Sequence, residues 1–238
     1  TTDLTRLMED PDLEVFNEAG TTHQWMMVNN EIAPFNNADF RRAIASAIDK
    51  EAVIQVSLQG TGSVSDSMLP GCFNGVTDTG AMTYDVEKAK EYFAASGLDP
   101  ADCGFAIICS DDMKLRQGQV IQSCLKENLG IETTLESMDL ATYLDVTATG
   151  DYQAAIGNYT ASSVLAFSQG VYHSMSINGS NKTRLNNPEI DALIEKVQAT
   201  LDPEENEKAV TELSDAINEL CPQAPLFVRN DIRAYKKG

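Results

Sequence analysis

The sequence of 238 residues has few basic side chains, and this shortage excludes one class of partner. It contains 17 lysines and arginines against 36 aspartates and glutamates, and its formal net charge is −19. A chain of that charge is repelled by the phosphate backbone of DNA or RNA. Nucleic acid is therefore not expected as a partner, and the acidic excess is typical of a well-hydrated surface.

The sequence also lacks long apolar runs. No segment approaches the ~20 consecutive apolar residues that a membrane-spanning helix requires. The chain begins with Thr1, Thr2 and Asp3, without the charged and apolar regions of a secretory signal peptide. We therefore expect any export signal or lipid anchor to lie outside this sequence.

Patterns for metal binding and catalysis are missing as well. The five cysteines show no CxxC spacing, and only two histidines accompany them, so no zinc site is predicted. We expect the cysteines to be small buried residues with at most one disulfide. No GxSxG motif is present, and His23 and His173 are interpreted as hydrogen-bonded or solvated side chains. The sequence thus predicts no enzyme, no metal and no cofactor.

What is present is an alternation of helices and strands that is typical of an α/β fold. Helical patterns over residues 85–96 and 114–129 each end at a glycine, Gly97 and Gly130. The strand patterns FAIIC and IETTLES follow these helices. FAIIC is apolar throughout, as expected for a parallel strand covered by helices on both faces. We predict a mixed, mostly parallel sheet flanked by helices.

Strand patterns also occur near both ends of the chain. Residues 13–30 are interpreted as two extended stretches separated by a turn at residues 19–21. The last segment contains the strand patterns APLFV and IRAY. Residues 60–80 are rich in glycine, serine, threonine, aspartate and proline and show no period, so we expect a long surface loop there.

One polar segment is notable for its position in this pattern. The strand predicted over residues 152–157 is followed by Asn158, Tyr159, Thr160 and Ser162. In open α/β sheets, ligands bind beyond the carboxyl ends of the strands. We therefore take these four residues as candidate ligand-binding residues.

Several separated segments resemble the family 5 extracellular solute-binding proteins, which include the oligopeptide-, dipeptide- and nickel-binding proteins of ABC transporters. These segments are, in chain order, APFNNADFRRAIASAIDKEAVI, YDVEKAKEYFAASG, LKENLGIETTLESMDLATYLDVTATGDYQAAIG, LNNPEIDALIEKVQATLDPEE and CPQAPLF. They occur in the family's order and at similar spacing, and the resemblance covers nearly the whole chain.

The resemblance implies a lobe of the periplasmic-binding-protein type II class. Family members are two-lobed clamshells in which the second lobe is inserted between two parts of the first. Residues 1–238 then correspond to the second lobe, and residues 13–30 and 224–235 to strands near the hinge. The implied partners are the missing first lobe of the same protein, an ABC transporter permease, and a peptide or other small polar ligand. The implied location is extracytoplasmic, in the periplasm or as a cell-surface lipoprotein.

The same resemblance exposes one difference. Peptide-binding members have a Trp-x-Ala-Asp step whose tryptophan lines the cleft and whose aspartate pairs with the ligand's α-ammonium group. The matching residues here are Tyr159, Thr160, Ala161 and Ser162. Ser162 carries no charge and cannot form that ion pair. Three alternatives therefore stay open: a blocked peptide, another small polar molecule, or a peptide held by charges in the missing lobe.

Two other functions are weighed against solute capture. Domains that resemble family 5 also occur in regulators, where ligand-driven closure changes DNA affinity, and an upstream helix-turn-helix would indicate that role. An enzyme would require hydrolytic turnover of peptides that His173→Ala abolishes. We expect capture by clamshell closure for an ABC importer, with weak or absent binding by this lobe alone.

Overall fold

The computed structural model describes residues 4–237, which form a six-stranded mixed sheet flanked by helices. The strands are β1 (Leu13–Val28), β2 (Gly62–Val64), β3 (Phe105–Cys109), β4 (Thr133–Ser137), β5 (Ala154–Thr160) and β6 (Gln223–Lys236). The α-helices are α1 (Leu4–Glu9), α2 (Ala38–Ala47), α3 (Lys50–Leu58), α4 (Val86–Ser96), α5 (Asp112–Leu129), α6 (Leu140–Thr149), α7 (Val164–Val171), α8 (Pro188–Ala199) and α9 (Pro203–Leu220). Across these described residues, every helix is too short or too polar to span a bilayer.

The strands follow the order β2-β6-β1-β5-β3-β4 across the sheet. β3 pairs in parallel with β4 and β5, whereas the pairs β1–β5, β1–β6 and β2–β6 are antiparallel. The predicted mixed α/β class is confirmed, although its parallel part is smaller than predicted. Parallel pairing requires a crossover, which α5 and α6 supply between β3, β4 and β5. β1 and β6 come from distant parts of the chain and meet in opposite directions.

The turn predicted at residues 19–21 is wrong, because β1 continues through it. The pairing of β1 with β6 shifts register between Ala19 and His23, as in a β-bulge. A Cβ atom at Gly20 would lie 2.9 Å from the carbonyl oxygen of Arg229. Gly20 therefore allows the backbones of β1 and β6 to approach each other closely. A sequence pattern does not distinguish this role of glycine from its role in a turn.

Beyond this bulge, residues 13–19 of β1 and 230–236 of β6 form a two-stranded ribbon. Within residues 4–237 no third strand pairs with the ribbon. The aromatic rings of Phe16 and Tyr235 meet edge to face on it, 5.8 Å apart, and both side chains are exposed. The ribbon is thus a mostly exposed part of the sheet.

Helix boundaries follow local capping residues. The side chain of Asn37 accepts hydrogen bonds from the backbone N–H groups of Asp39 and Phe40 at the start of α2. Gly97 and Gly130 end α4 and α5 in the left-handed conformation, each with φ of 70°. The helices predicted to stop at these glycines are confirmed.

The segment 60–80 is only partly a surface loop. It contains β2, and its Met68 and Leu69 side chains are completely buried. Asn218 on α9 accepts a hydrogen bond from the Met68 N–H group at 2.8 Å and donates one to the Thr77 carbonyl at 3.0 Å. The expectation of a loop at the surface is therefore wrong for its middle part, because α9 supplies its backbone partners.

Arg41 on α2 ties three parts of the fold together. Its guanidinium donates hydrogen bonds to the carbonyl oxygens of Phe35 at 2.7 Å, Leu220 at 2.8 Å and Cys221 at 2.7 Å. The last two carbonyls lie at the carboxyl end of α9, where the helix dipole favours a positive charge. The side chain is buried, so it caps α9 from within the core.

All five cysteines are free thiols, so the single disulfide that the sequence allowed does not form. Cys103, Cys109 and Cys221 are buried, as expected for small apolar side chains, whereas Cys72 is exposed. Burial raises the pKa of the Cys221 thiol to about 11, which keeps it protonated at neutral pH.

Candidate functional site

The carboxyl ends of β3, β4 and β5 lie at the same end of the sheet, because these strands are parallel neighbours. Helices α5, α6 and α7 begin just after them. A cavity of about 280 Å³ lies there among the sheet, α6 and the loop at residues 180–183. Sites for small molecules usually measure ~300–1,000 Å³. The cavity therefore suits a small ligand or one group of a larger ligand.

Residues of β1 and β5 form the floor of this cavity. Trp25 and Met27 come from β1, and Gly157 and Tyr159 from β5. Each pair is spaced two residues apart, which places both residues on the same face of the sheet. A Cβ atom at Gly157 would lie 3.0 Å from the Met27 sulfur and 3.3 Å from the Tyr143 hydroxyl oxygen. Glycine thus preserves space that any other side chain would occupy.

An aromatic cluster fixes the two large side chains of the floor. The Phe167 ring on α7 meets the Tyr159 ring at 5.6 Å and the Trp25 ring at 5.7 Å, both edge to face. A Cβ atom at Gly170 would lie 2.5 Å from the Tyr159 hydroxyl oxygen, so the tyrosine packs directly on the α7 backbone. Tyr159 and Trp25 are therefore held in place before any ligand arrives.

Helix α6 forms an apolar wall. Leu140 and Leu144 line the cavity and are 57% and 50% exposed, an unusual degree for leucines one helical turn apart. Tyr143 faces inward, and its hydroxyl donates a hydrogen bond to the Ile156 carbonyl at 2.7 Å. The leucines of α6 can therefore contact the apolar part of a ligand, while the hydrogen bond of Tyr143 holds the helix against β5.

Two lysines supply the only charges that line the cavity within residues 4–237. The ammonium group of Lys114 lies 2.8 Å from the Ser110 hydroxyl, 3.3 Å from a carboxylate oxygen of Asp111 and 5.2 Å from the centre of the Tyr143 ring. Lys182 lies on the loop opposite, and burial lowers the pKa of its ammonium group. The cavity is thus apolar with a positive side.

The two histidines differ from each other. His23 is completely buried, and neither ring nitrogen forms a hydrogen bond within the described residues. Burial, then the charge of Lys50, lowers its pKa to about 3, while the Met68 backbone offsets part of this shift. His23 is therefore not solvated, which was one of the two states predicted for it from the sequence. His173 accepts a hydrogen bond from the Met175 N–H group at 3.2 Å, as predicted. No described group of histidine, cysteine, aspartate or glutamate side chains could hold a metal ion.

The four candidate residues lie at this end of the sheet but occupy different positions. Asn158 and Tyr159 line the cavity, whereas Thr160 and Ser162 do not. Asn158, Tyr159 and Thr160 belong to β5 and do not follow it, because β1 continues as its partner as far as Thr22. The Thr160 hydroxyl bonds the Thr22 hydroxyl at 2.8 Å, and Ser162 is exposed in the bend before α7.

Other cavity residues were not predicted from the sequence. Lys114 and Leu140 follow β3 and β4, so the rule that selected the segment after β5 could have found them. Lys182 lies in a segment without periodicity. Its carbonyl accepts a hydrogen bond from the Tyr152 hydroxyl, and this long-range contact leaves no signal in the sequence.

Comparison with known proteins defines the class to which this fold and site belong. The model of the bacterial extracellular solute-binding proteins, family 5 Middle, matches residues 1–179. The structure of HbpA2 from Haemophilus parasuis superposes with a TM-score of 0.91 at 19% identity, covering 99% of this chain and 48% of that one. The expected type II periplasmic-binding-protein fold is confirmed. The chain belongs to the family 5 extracellular solute-binding proteins.

Curated relatives extend across the same region. Heme-binding protein A of Haemophilus influenzae is 26% identical over 232 residues, covering 94% of this chain and 42% of the relative. Oligopeptide-binding protein OppA of Bacillus subtilis is 25% identical over 245 residues, covering 97% of this chain and 44% of the relative. The chain therefore spans less than half the length of these relatives.

Proposed function

We propose that this chain is the second lobe of a solute-binding protein that captures a peptide-like or other small polar solute for an ABC importer. The observation that carries the proposal is the preformed cavity at the carboxyl ends of β3, β4 and β5, in a chain of this family. The solute is held between two lobes that close on it, and closure reports occupancy to the transporter permease.

The two-stranded ribbon supports the division into lobes. Residues 13–30 and 224–235 lie near the hinge in this proposal, and the ribbon formed by β1 and β6 leads away from the rest of the sheet. The exposed rings of Phe16 and Tyr235 then contact the first lobe, which would cover them. The partial coverage of both relatives agrees with a protein about twice this length.

The candidate residues take different roles in this proposal. Asn158 and Tyr159 contact the part of the solute that enters the cavity. Thr160 and Ser162 lie on the exposed end of β5 and in the bend that follows it, so they contact the solute at the cleft surface between the lobes. None of the four is arranged as a nucleophile beside a base, which supports binding without turnover.

The relatives' names support the remaining parts of the proposal. They are described as binding proteins for heme and for oligopeptides, not as enzymes. Together with the family description as extracellular, they support an extracytoplasmic location. The ABC permease as partner is part of the importer role proposed above. The solute itself is taken from neither relative.

Mass spectrometry tests the proposal on the two-lobed protein that carries this chain. Small molecules released by denaturing the purified protein should include a peptide-like or other polar solute, and calorimetry should then measure its binding. The 238-residue chain alone should bind the same solute weakly or not at all, because it carries one side of the cleft. Tight binding by the chain alone would refute the division into lobes. A two-lobed protein that retains no solute and binds none from a peptide panel would refute capture.

A further inference from the structure

The charges around the cavity are opposite to those of the chain as a whole. The chain has 36 acidic and 17 basic side chains. Yet the cavity is lined by two lysines and, within residues 4–237, by no aspartate or glutamate. A random sample of this surface would carry an excess of carboxylates. The cavity therefore favours an anionic group in a protein that otherwise repels anions.

The two lysines are not equivalent. The Lys114 ammonium has a carboxylate neighbour, Asp111, and donates a hydrogen bond to Ser110, so it already has partners within the chain. The Lys182 ammonium has neither an ion-pair nor a hydrogen-bond partner among the residues that the structure describes. Burial alone lowers the pKa of Lys182, with no carboxylate opposing the shift.

The backbone around Lys182 is fixed although its side chain is unpaired. Its N–H group donates to the Ser180 carbonyl at 2.9 Å, and its carbonyl accepts from the buried Tyr152 hydroxyl. A partly desolvated ammonium on a fixed backbone gains more from an anion than a solvated surface lysine does. Lys182 is thus positioned for a partner that residues 4–237 do not provide.

We infer that the cavity binds its solute through a carboxylate, which pairs with Lys182 while the solute's apolar part lies against Trp25 and Leu144. This inference rests on the proposed function and names the ligand class for the same site. A phosphate group is a poorer fit, because its second charge calls for several free donors, commonly arginines. One unpaired lysine in a mostly apolar lining matches a single carboxylate.

This assignment sets the orientation of a peptide-like ligand. Its carboxyl end enters the cavity, and its amino end points toward the cleft surface, where the uncharged Ser162 is exposed. A ligand with a blocked amino terminus is then tolerated, because residue 162 is a serine and not a carboxylate that would require an ammonium group as its partner. The protein therefore recognises the ligand by its terminal carboxylate.

A pair of matched probes tests the inference on the two-lobed protein. N-acetyl-Ala-Leu and its C-terminal amide differ only in the carboxylate, and calorimetry gives both dissociation constants. We expect the acid to bind roughly tenfold or more tightly than the amide, as for a charged pair worth about 1.4 kcal/mol. Lys182→Met should remove this preference, so that the variant binds acid and amide equally. Lys90→Met is the control, since Lys90 on α4 is exposed and does not line the cavity.

The outcomes separate this inference from the proposed function. If acid and amide bind the wild type equally, or if Lys182→Met keeps the acid preference, the carboxylate assignment is overturned while solute capture stands. If neither probe binds and no solute is retained on purification, both fail. Lys182→Arg should preserve the preference for the acid, and an unchanged thermal midpoint for Lys182→Met shows that lost affinity does not come from misfolding.

Discussion

Replacing Arg41 by methionine is expected to destabilise the fold by about 3 kcal/mol. The change leaves three carbonyl acceptors without their donor, those of Phe35, Leu220 and Cys221. Each buried polar group without a partner costs about 1–3 kcal/mol. Methionine fills most of the space and removes the cost of burying a guanidinium, which offsets part of the loss. The estimate therefore lies toward the lower end of the summed range.

Urea denaturation followed by circular dichroism measures this free energy of unfolding. Arg42→Met is the matched control on the same helix. Arg42 also donates to a carbonyl of α9, that of Glu219 at 3.0 Å, but its side chain is 22% exposed and Glu219 is exposed, so water can replace it. Its loss should cost less than about 1 kcal/mol. If the two variants have equal stability, or if Arg41→Met stays within about 1 kcal/mol of the wild type, the internal capping of α9 is refuted.

Two further predictions concern the sheet. Gly157→Val fills the cavity floor and should weaken solute binding by the proposed two-lobed protein roughly tenfold or more. Gly71→Ala, where an added Cβ meets no atom within 4 Å, should leave affinity unchanged. If Gly157→Val binds the solute as tightly as the wild type does, the cavity is not part of the solute-binding site. His23 has a pKa of about 3 in the folded state, against 6.5 ordinarily. As the pH is lowered through about 6.5, the unfolded state takes up a proton at this histidine and the folded state does not, so the free energy of unfolding decreases. Relative to His23→Leu, the wild type should lose about 3 kcal/mol of unfolding free energy between pH 7 and pH 4; parallel pH profiles in urea denaturation would contradict this.

The helices could be predicted from the sequence because their determinants are local. Asn37 caps the helix that follows it directly, and Gly97 and Gly130 end helices through their own backbone conformation. The strands could not be predicted to the same extent, because their partners lie far along the chain. Gly20 illustrates this, since the carbonyl that requires a glycine there belongs to Arg229.

The candidate site divides in the same way. Asn158 and Tyr159 were found because the carboxyl end of a strand is a position that a sequence pattern can locate. Lys182 was not found, because its place beside the sheet depends on a hydrogen bond from Tyr152, thirty residues earlier. The difference between the lysines also depends on three-dimensional neighbours, since Asp111 compensates one and no described carboxylate compensates the other.

The pairing of β1 with β6 determines how the chain responds to mechanical force. Leu13 and Lys236 are direct partners at the outer end of the ribbon. A pull that separates these two residues loads the ladder's hydrogen bonds one after another, as in opening a zipper, because antiparallel bonds run perpendicular to the strands. A shearing load would be shared by all of them at once. Tension applied through these residues therefore peels the ribbon at low force, and the bulge at Gly20 is reached before the part of β1 that carries Trp25 and Met27.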